Sequence, residues 1–400
     1  MTDDPSPPYG PERKGELIGA HRDESLEYPV SFEGLREAAE EALDPDVRGY
    51  LAGGAGEDDT VRENRRAFER WRIQPRMCRD TSRRDLRVDL FDGALTLPVP
   101  VALAPIGMQS VFHEEGELAA ARAAREVGVP MCLSSVAGES IEDVGAELDA
   151  GAPNLFQLYP STDREVMESF VRRAEAADFD AVVVTVDTPI SGWRGSELDR
   201  GYVPGLDGNV LMNYLTDPVV REKMDVDPEE NPETALGAVG QFVGDLSLTW
   251  ADVDWIAELT DLPVVVKGIL HPDDAREAAA RTDGVVVSNH GGRQIDGEIA
   301  ALDALPGVAE AARQADADAA VLFDSGVRSG ADVVRALALG ADAVMIGRPY
   351  IYGLTLGGQA GVEHVLRNLL GDLDLALALA GFADVGALDR DAVVDRSRLP

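Results

Sequence analysis

The stretch LPVVVKGILHPDDAREAAARTDGVVVSNHG (262–291) contains two short runs rich in β-branched residues, separated by a charged stretch. Uninterrupted apolar runs that alternate with helical stretches are typical of a parallel sheet covered on both faces. The same texture begins at Pro98 and supplies eight such runs, at 99–106, 129–136, 154–159, 181–188, 262–269, 284–291, 320–327 and 343–349. Eight units predict an α/β fold with a closed (β/α)8 barrel of the TIM type. A doubly wound open sheet is the alternative, and the count of eight argues against it.

The rest of the chain surrounds this barrel. We predict a polar, flexible lead-in over residues 1–28, one barrel domain over 29–385 with an N-terminal helical segment and C-terminal helices, and a tail over 386–400. The fourth strand ends near Thr188 and the fifth begins near Leu262, which breaks the regular spacing. Because insertions after barrel strands lie on the catalytic face, residues 195–247 are expected to form a partly mobile lid over the site. A surface excursion without a role is the alternative.

The composition is that of a soluble globular protein, with 45% hydrophobic and 27% charged residues among 400. No run of 18 apolar residues free of Gly, Pro or charge occurs, and the N-terminus lacks the apolar segment of a secretory signal. Cys78 and Cys132 lie in unrelated contexts, which indicates a reducing compartment and no metal cluster. We therefore expect a cytoplasmic protein without a metal site.

The charge is strongly acidic: 36 basic against 73 acidic residues give a net charge of −37, and only three of the basic residues are lysines. The acids are spread along the chain rather than clustered. Such a surface stays hydrated in strong salt, where screening shortens charge repulsion to about 3 Å at roughly 1 M. We predict a salt-adapted protein; a surface that binds basic partners is the alternative. Nucleic acid is not expected as a partner, because this field repels phosphate backbones.

Functional residues of such barrels stand at the carboxyl ends of the strands. Polar residues occupy nearly every predicted strand end, so we expect them to share one site. In chain order these ends are APIGM (104–108), SS (134–135), QLY (157–159), TVDT (185–188), KG (267–268), SNHGGR (288–293), DSGVR (324–328) and GRP (347–349). The last two predict a phosphate site, because each combines glycine for close approach with arginine for bidentate pairing. A structural Gly-Arg turn is the alternative.

Lys267 ends an interior strand in a chain that has almost eliminated lysine. A buried ammonium needs a partner or a chemical task. An electron-rich cofactor that becomes anionic would supply one; a Schiff-base lysine and a salt-bridged structural lysine are the alternatives.

His290 is one of five histidines and stands at a strand end, where imidazole is the natural base at neutral pH. Asp187, at the end of the fourth strand, is placed to orient the ring and stabilise its cation. Arg194 and Arg293 are candidates to clamp a small carboxylate with two guanidinium forks. Tyr50 and Tyr159 are candidate phenol donors to the same anion, with plain packing as the alternative.

These strings together resemble the FMN-dependent α-hydroxy-acid oxidising family, which includes glycolate oxidase, lactate oxidase, lactate 2-monooxygenase and mandelate dehydrogenase. The resemblance covers roughly residues 30–385. Its most specific motif is SNHGGRQ (288–294) and its longest is DSGVRSGADVVRALALGADAVMIGRP (324–349). LPVVVKG, FQLY, TVDTP and APIGMQ stand at matching places.

The resemblance implies FMN as the cofactor and gives the strand ends their roles. His290 would accept a proton from the substrate while paired with Asp187, and Lys267 would face the N1/C2 edge of the flavin. The substrate carboxylate would be bound by Arg194, Arg293, Tyr50 and Tyr159. The flavin and its ribityl phosphate would be held by Pro105, Ile106, Gly107, Ser134, Gln157, Thr185, Ser288, Asp324, Gly326, Arg328, Gly347 and Arg348.

Within this family the insertion string NYLTDPVV, HPDDAR (271–276) and DSG at 324–326 are most similar to lactate 2-monooxygenase. Gly107 agrees, since the oxidase branch usually has alanine there; the missing methyl would let pyruvate stay near peroxide and be converted to acetate and CO2. Val136 replaces the aromatic residue of glycolate oxidase. We therefore expect oxidation of a small L-2-hydroxy acid, L-lactate first, by O2.

Three other functions stay open at this point. A dehydrogenase of the same family would pass electrons to a quinone or another carrier, although no haem-binding domain precedes residue 30. A flavin-dependent isomerase belongs to another enzyme class, and Arg194, Arg293 and His290 argue against it. A non-catalytic flavin-binding scaffold has no need for these three groups. The resemblance also implies a homotetramer or octamer.

Overall fold

An eight-stranded parallel barrel forms the centre of the structure, a computed structural model that describes residues 6–23, 26–148, 151–202, 204, 211–227 and 230–399. The strands are β1 (Trp71–Ile73), β2 (Val88–Leu90), β3 (Leu95–Leu97), β4 (Val101–Leu103), β5 (Cys132–Ser134), β6 (Leu155–Leu158), β7 (Ala181–Thr185), β8 (Val264–Ile269), β9 (Gly284–Val287), β10 (Ala320–Phe323), β11 (Ala343–Ile346) and β12 (Val393–Asp395).

The α-helices are α1 (Tyr9–Arg22), α2 (Phe32–Ala42), α3 (Pro45–Ala52), α4 (Asp59–Arg70), α5 (Gly116–Val127), α6 (Ile141–Leu148), α7 (Arg164–Ala176), α8 (Gly195–Leu198), α9 (Met212–Thr216), α10 (Pro218–Lys223), α11 (Pro232–Val239), α12 (Trp250–Glu258), α13 (Pro272–Ala279), α14 (Ala301–Ala315), α15 (Gly330–Ala338) and α16 (Arg348–Ala380). Short 3₁₀ helices lie at Gln109–Val111, Val385–Ala387, Arg390–Ala392 and Arg396–Arg398.

The barrel strands pair in the order β4-β11-β10-β9-β8-β7-β6-β5, and all of these pairs are parallel. The ring closes between β4 and β5 through one parallel bridge, Leu103 with Met131, where the Leu103 N–H donates to the Pro130 carbonyl at 2.8 Å. The eight strands coincide with the eight runs of the sequence. The predicted barrel is confirmed, and the open-sheet alternative is wrong.

Side-chain alternation along each strand divides the apolar residues into two sets. In β7, Val182 and Val184 belong to the larger core between the strands and the surrounding helices, whereas Ala181 and Val183 face the barrel interior. The interior set consists of small and medium residues, Ala102, Ala104, Cys132, Leu155, Ala181, Val183, Val265, Val286, Ala320, Leu322, Ala343 and Met345. These fill the barrel, so it holds a packed core rather than a pore.

The antiparallel pair β2–β3 closes one end of the barrel. It immediately precedes β4, and its side chains Leu90, Phe91, Leu95 and Leu97 join the interior cluster. This covers the end at which the strands begin. The ends at which the strands finish are left for the polar residues.

Much of the predicted lead-in is helix α1, which contacts α16; its flexibility stays a prediction. The Gly10 N–H of α1 donates to Asp374 Oδ2 at 2.8 Å, and Arg13 Nε donates to Asn368 Oδ1 at 2.7 Å. A Cβ at Gly10 would lie 2.5 Å from Leu375, so the backbones approach closely. Polar contacts and a glycine, rather than an apolar stripe, attach α1 to α16, so the sequence pattern did not indicate this contact. Residues 1–5 and 24–25 lie outside the described residues.

The predicted C-terminal tail contacts the segment that precedes the barrel. β12 pairs with β1 in antiparallel register, Trp71 opposite Asp395. Arg70 Nη2 lies 2.8 Å from Asp395 Oδ2. The end of the chain thus fastens the segment that leads into the barrel.

The predicted lid contains α8 to α11, and part of it is built into the core. Asn213 is buried; its Oδ1 accepts from the Ile141 N–H at 2.8 Å and its Nδ2 donates to the Ser135 carbonyl at 3.3 Å. The Tyr214 ring lies 4.7 Å from that of Phe170. Residues 203, 205–210 and 228–229 of the predicted lid lie outside the described residues, and its mobility stays a prediction. Among the described residues, no helix is long and apolar enough to cross a membrane.

Candidate active site

A layer of polar side chains lies above the apolar interior of the barrel, at the carboxyl ends of the strands. It arises because side chains along a strand alternate between the two faces of the sheet. Each of its residues stands two positions after an interior apolar one, as Thr185 follows Val183 and Lys267 follows Val265. The layer comprises Ser134, Gln157, Thr185, Lys267, Ser288 and Asp324, all of them buried. Two-residue periodicity thus carries six predicted residues from separate strands to one level of the barrel.

Above this layer lies a cavity of about 520 Å³. It brings together most of the predicted residues, and those that line it are Tyr50, Pro105, Ile106, Gly107, Tyr159, Thr185, Arg194, Lys267, His290, Arg293, Asp324, Gly326, Arg328, Gly347 and Arg348. Ser134, Gln157, Asp187 and Ser288 stand behind these, in contact with them or with one another. The cavity is therefore rich in arginine and glycine and also holds the imidazole.

Lys267 is bound between acidic partners. Its Nζ donates to Ser288 Oγ at 2.9 Å and lies 3.2 Å from Asp324 Oδ2 and 3.9 Å from Asp187 Oδ2. Burial alone would lower the pKa of this ammonium, but Asp324 and Asp187 raise it above its usual value. The side chain is a fixed positive charge, which disfavours the Schiff-base alternative, since that chemistry needs a neutral amine.

His290 and Asp187 form a hydrogen-bonded pair, with Nδ1 and Oδ1 2.9 Å apart. Thr188 Oγ1 contacts both atoms, at 3.2 Å and 2.9 Å. Burial would raise the pKa of Asp187, but the charges of His290 and Lys267 hold it at about 2. Burial lowers the pKa of His290 below its usual value against the opposing effect of Asp187. At neutral pH the pair is thus an ionised carboxylate beside a neutral imidazole.

Arg293 and Arg194 stand side by side next to this pair. Arg293 Nη1 donates to the carbonyls of Tyr50 at 2.6 Å and Gly53 at 2.9 Å, and Arg194 Nε donates to the Arg293 carbonyl at 3.2 Å. Burial, followed by the charge of Arg194, lowers the pKa of Arg293 to about 10. Sequence reasoning missed Glu197, whose Oε1 accepts from Arg293 Nη2 at 2.9 Å.

The two tyrosines line the same region. The Arg293 guanidinium lies 4.8 Å from the centre of the Tyr50 ring, and that ring stacks on Phe112 at 5.9 Å. The Tyr159 and His290 rings are 6.5 Å apart. Burial, with the charge of Asp187, raises the pKa of Tyr159 to about 12. This phenol therefore keeps its proton as a donor at neutral pH.

Arg328 and Arg348 add positive charge to the cavity without a matching carboxylate. Arg348 donates to the carbonyls of Leu51, Gly291 and Gly53 at 2.9 to 3.0 Å, and Arg328 donates to the Val327 carbonyl at 3.0 Å. No described carboxylate forms an ion pair with either arginine. Burial, with the charge of Arg348, lowers the pKa of Arg328 to about 9. Unpaired, half-buried guanidiniums beside glycine loops fit a phosphate.

Two orphaned polar atoms fit a ring with hydrogen-bonding edges. Gln157 Nε2 and Thr185 Oγ1 are buried and have no hydrogen-bond partner in the described part of the chain. Leaving such groups unsatisfied costs about 1–3 kcal/mol each. With the charged Lys267 beside them and the phosphate-binding end beyond, the residues present fit flavin mononucleotide.

The apolar wall of the cavity was not predicted. It is formed by Met108, Phe112, Val136, Leu211, Leu236, Val239 and Val243, several of which come from the insertion. Sequence gave no signal for them, because an apolar residue that faces a cavity has the same pattern as one that faces the core. The wall also changes the interpretation of Gly107. A Cβ there would lie 2.5 Å from the Val136 carbonyl oxygen, so the missing methyl is matched by backbone rather than by free space.

Known proteins of related sequence and structure agree with this geometry. A family model described as FMN-dependent dehydrogenase matches residues 39–395. The L-lactate oxidase of Lysinibacillus sphaericus is 42% identical over 375 residues, which cover 94% of this chain and 95% of the relative. The L-lactate dehydrogenase of Pseudomonas aeruginosa is 38% identical over 377 residues, 90% of this chain and 96% of the relative. The structure of mandelate oxidase superimposes with a TM-score of 0.78 at 37% identity and covers 90% of this chain and 97% of its own.

These relatives include oxidases and dehydrogenases of hydroxy acids, which contradicts the isomerase and scaffold alternatives. The family model spans most of the chain, and the predicted FMN cofactor agrees with its description. The chain therefore belongs to the FMN-dependent dehydrogenase family, as an oxidoreductase that acts on 2-hydroxy acids.

Proposed function

We propose that the protein oxidises a small L-2-hydroxy acid, L-lactate in the first instance, to the 2-oxo acid with O2 as the electron acceptor. One observation carries the proposal. A neutral imidazole, His290, is fixed by an ionised carboxylate, and two guanidiniums stand beside it around one cavity. The names of the L-lactate oxidase relatives support lactate as the substrate.

His290 is proposed as the base. Asp187 and Thr188 occupy its Nδ1, and no described residue is bonded to its Nε2, which leaves that atom to accept a proton from the substrate. The imidazolium that forms is stabilised by Asp187, whose pKa of about 2 keeps it ionised. Burial, together with the charge of Lys267, lowers the pKa of His290 and so favours the neutral imidazole before the reaction.

Arg194 and Arg293 are proposed to bind the substrate carboxylate. Their guanidiniums are only 13% and 15% exposed, so a charge-assisted hydrogen bond there is little weakened by water. Tyr50 and Tyr159 are proposed to donate phenol hydrogen bonds to the same substrate. The anion is thus oriented from one side while His290 faces its hydroxyl-bearing carbon.

FMN, when bound, supplies the acceptor for the two electrons that leave the α C–H bond of the substrate. Lys267, Gln157 and Thr185 are proposed to contact the ring, with Ser134 and Ser288 behind them and the backbone of residues 105–107 beside it. Asp324, Gly326, Arg328, Gly347 and Arg348 are proposed to hold the ribityl phosphate. The orphaned atoms and unpaired arginines described above support this assignment.

Lactate 2-monooxygenase activity, with acetate and CO2 as products, is proposed on the sequence resemblance alone. The geometry at Gly107 does not add to it, because Val136 fills the adjacent space. Product analysis after aerobic turnover of L-lactate is the test. Acetate supports the monooxygenase; pyruvate with stoichiometric hydrogen peroxide supports a lactate oxidase and refutes it.

A dehydrogenase that uses a quinone or another carrier is the second candidate, favoured by the Pseudomonas aeruginosa relative. The test uses the purified yellow protein. L-lactate without air is expected to bleach the flavin, and air is expected to restore its colour within a few turnovers. Slow recovery in air with fast recovery by a quinone would replace the oxidase by the dehydrogenase; no bleaching by any 2-hydroxy acid would overturn both.

We also propose that the protein is cytoplasmic, salt-adapted and a homotetramer or octamer. The net charge of −37 supports salt adaptation, and the family resemblance supports the assembly. Light scattering after size exclusion, in low and in high salt, tests the salt adaptation and the assembly. A monomer in both conditions would refute the assembly.

A further inference from the structure

The two arginines of the cavity share one resident carboxylate. Glu197 Oε1 accepts from Arg293 Nη2 at 2.9 Å and lies 3.7 Å from Arg194 Nη1. All three side chains are mostly buried, with 13% to 15% exposed. Arg348 adds a third guanidinium, since it donates to the same Gly53 carbonyl as Arg293. Glu197 is therefore the resident negative charge that partly offsets the arginines facing a bound anion.

The hydrogen bonds of Arg293 show which of its donors stay available. Both Nη1 protons are taken by backbone carbonyls of Tyr50 and Gly53, and one Nη2 proton is taken by Glu197. No described residue accepts from Nε. A guanidinium has five N–H donors. Nε and one Nη2 proton remain to donate to a bound carboxylate.

Arg194 is held in a complementary way. Its Nε donates to the Arg293 carbonyl at 3.2 Å and its Nη2 to Gln294 Oε1 at 3.2 Å. Its Nη1 has only the longer contact with Glu197 in the described part of the chain. Few N–H groups of the two arginines thus remain free to bind a substrate. The hydrogen bond from Glu197 helps to fix the orientation of the Arg293 guanidinium.

Glu197 is itself fixed by the fold. It lies in α8, where the neighbouring Ser196 donates from Oγ to the Gly49 carbonyl at 3.0 Å. The Tyr202 N–H donates to the Glu197 carbonyl at 3.1 Å. These contacts fasten α8 to α3, which carries Tyr50, and so fix the backbone of Glu197 beside the arginines.

We propose that Glu197 is a positioning residue that determines substrate charge: it holds the Arg293 fork and selects monocarboxylic over dicarboxylic 2-hydroxy acids. The Glu197 charge opposes a substrate with two negative charges more strongly than a substrate with one. In a mostly buried site this like-charge repulsion is costly. This inference rests on the proposed function of Arg194 and Arg293.

Glu197→Gln tests it, with L-lactate and L-malate as substrates at fixed pH and ionic strength. The variant keeps an oxygen acceptor for Arg293 but removes the charge. The ratio of kcat/KM for L-lactate to that for L-malate is expected to fall about tenfold or more, mainly through a lower KM for L-malate. Glu197→Asp should restore most of the wild-type ratio. Asp199→Asn, an exposed neighbour, is the matched control and should leave the ratio unchanged.

Binding without turnover separates this inference from the proposed function. Dissociation constants for propionate and succinate are measured from changes in flavin absorbance. In Glu197→Gln the constant for succinate is expected to fall about tenfold relative to that for propionate. Equal changes for both anions, or none, would overturn the role of Glu197. Failure of the wild-type protein to bind propionate and to be reduced by any 2-hydroxy acid would instead overturn the proposed function.

Discussion

Asp187 reaches His290 across the strand that lies between them. Asp187 follows β7 and His290 follows β9, yet Oδ1 and Nδ1 are 2.9 Å apart. The intervening strand β8 has an irregularity between Lys267 and Ile269, and Gly268 lies there with φ +110°. A Cβ at Gly268 would lie 2.6 Å from the Asp187 Cβ. The glycine leaves the space through which the carboxylate passes.

Gly268→Ala should therefore displace Asp187 and lower activity. The added methyl meets Asp187, and the backbone conformation is one that alanine rarely adopts. We expect kcat to fall by about tenfold or more while flavin stays bound, as measured by anaerobic reduction with L-lactate in a stopped-flow instrument. Gly297→Ala is the control. Gly297 also has a positive φ, but it is exposed and an added Cβ there would meet no neighbouring atom. If the flavin of Gly268→Ala is reduced by L-lactate at the wild-type rate, the space at Gly268 is not needed for the contact between Asp187 and His290.

Asp187→Asn should lower kcat/KM for L-lactate by about 10²–10⁴-fold, because an amide cannot stabilise the imidazolium. The acid limb of the pH profile gives a second readout. Asp187 raises the pKa of His290 against the effect of burial, so its removal should move that limb to lower pH while the plateau falls. His290→Gln should remove the limb and substrate reduction together. An unchanged plateau in either variant would remove the pair from the mechanism.

Arg293→Lys should raise KM and lower kcat for L-lactate. A lysine ammonium is a point charge and cannot replace the guanidinium, which bonds Tyr50, Gly53 and Glu197 at once. We expect a loss of about 10²-fold in kcat/KM, corresponding to two fork hydrogen bonds. The measurement is steady-state oxygen consumption, with Arg200→Lys, an exposed arginine, as the control. A change in neither parameter would exclude Arg293 from carboxylate binding.

Lys267→Met should destabilise the protein and make its flavin harder to reduce. The substitution leaves Asp324 and Asp187 buried without their cation, a loss of about 3–5 kcal/mol. It also removes the positive charge that favours an anionic reduced flavin. Thermal unfolding and the midpoint potential of the bound flavin are the measurements. Lys267→Arg keeps the charge and should have a potential close to that of the wild type; equal potentials in all three proteins would refute the role.

Glu117→Gln should change how stability depends on pH. Glu117 is wholly buried, its Oε1 accepts from the N–H groups of Gln109 and Gly138 at 3.0 Å, and burial raises its pKa from 4.5 to about 7. A raised carboxyl pKa means that the folded state holds the proton more tightly, so this group lowers the free energy of unfolding as pH rises from about 4.5 to 7. The size of the effect is roughly 3 kcal/mol.

Urea unfolding at pH 5 and pH 8 checks this. The free energy of unfolding of Glu117→Gln, relative to that of the wild type, should be higher at pH 8 than at pH 5. The exposed Glu41→Gln should show no such change. Parallel pH curves for Glu117→Gln and wild type would show that the buried carboxyl does not titrate in this range.

The barrel and its polar layer were predictable because both follow from periodicity. The apolar runs predicted the strands. The two-residue alternation of side chains that places Val265 in the barrel interior also places Lys267 above it. His290 and Asp187 could be assigned because strand ends converge in this fold. Their direct contact depends on Gly268, whose conformation has no signature in the sequence.

Residues that act through long-range contacts could not be predicted. The docking of α1 depends on contacts with Asp374 and Asn368 of α16, and the pairing of β12 with β1 joins segments more than 300 residues apart. Glu197 is one of many acids in an acidic chain, so its charge did not distinguish it. The wall residues Leu236 and Val239 belong to an insertion whose apolar residues look like ordinary core.

The joint between β4 and β5 lies diametrically opposite β8 and β9 in the ring of strands. It is held by one registered bridge, whereas each other neighbouring pair in the described barrel has at least two. Backbone fluctuations of a closed barrel are largest where neighbouring strands share the fewest hydrogen bonds. Just past this joint Val136 accepts from the Met108 N–H and faces the cavity. We therefore expect changes of side-chain size at Val136 to be tolerated with little displacement of His290 and Lys267, which lie on the far side of the ring.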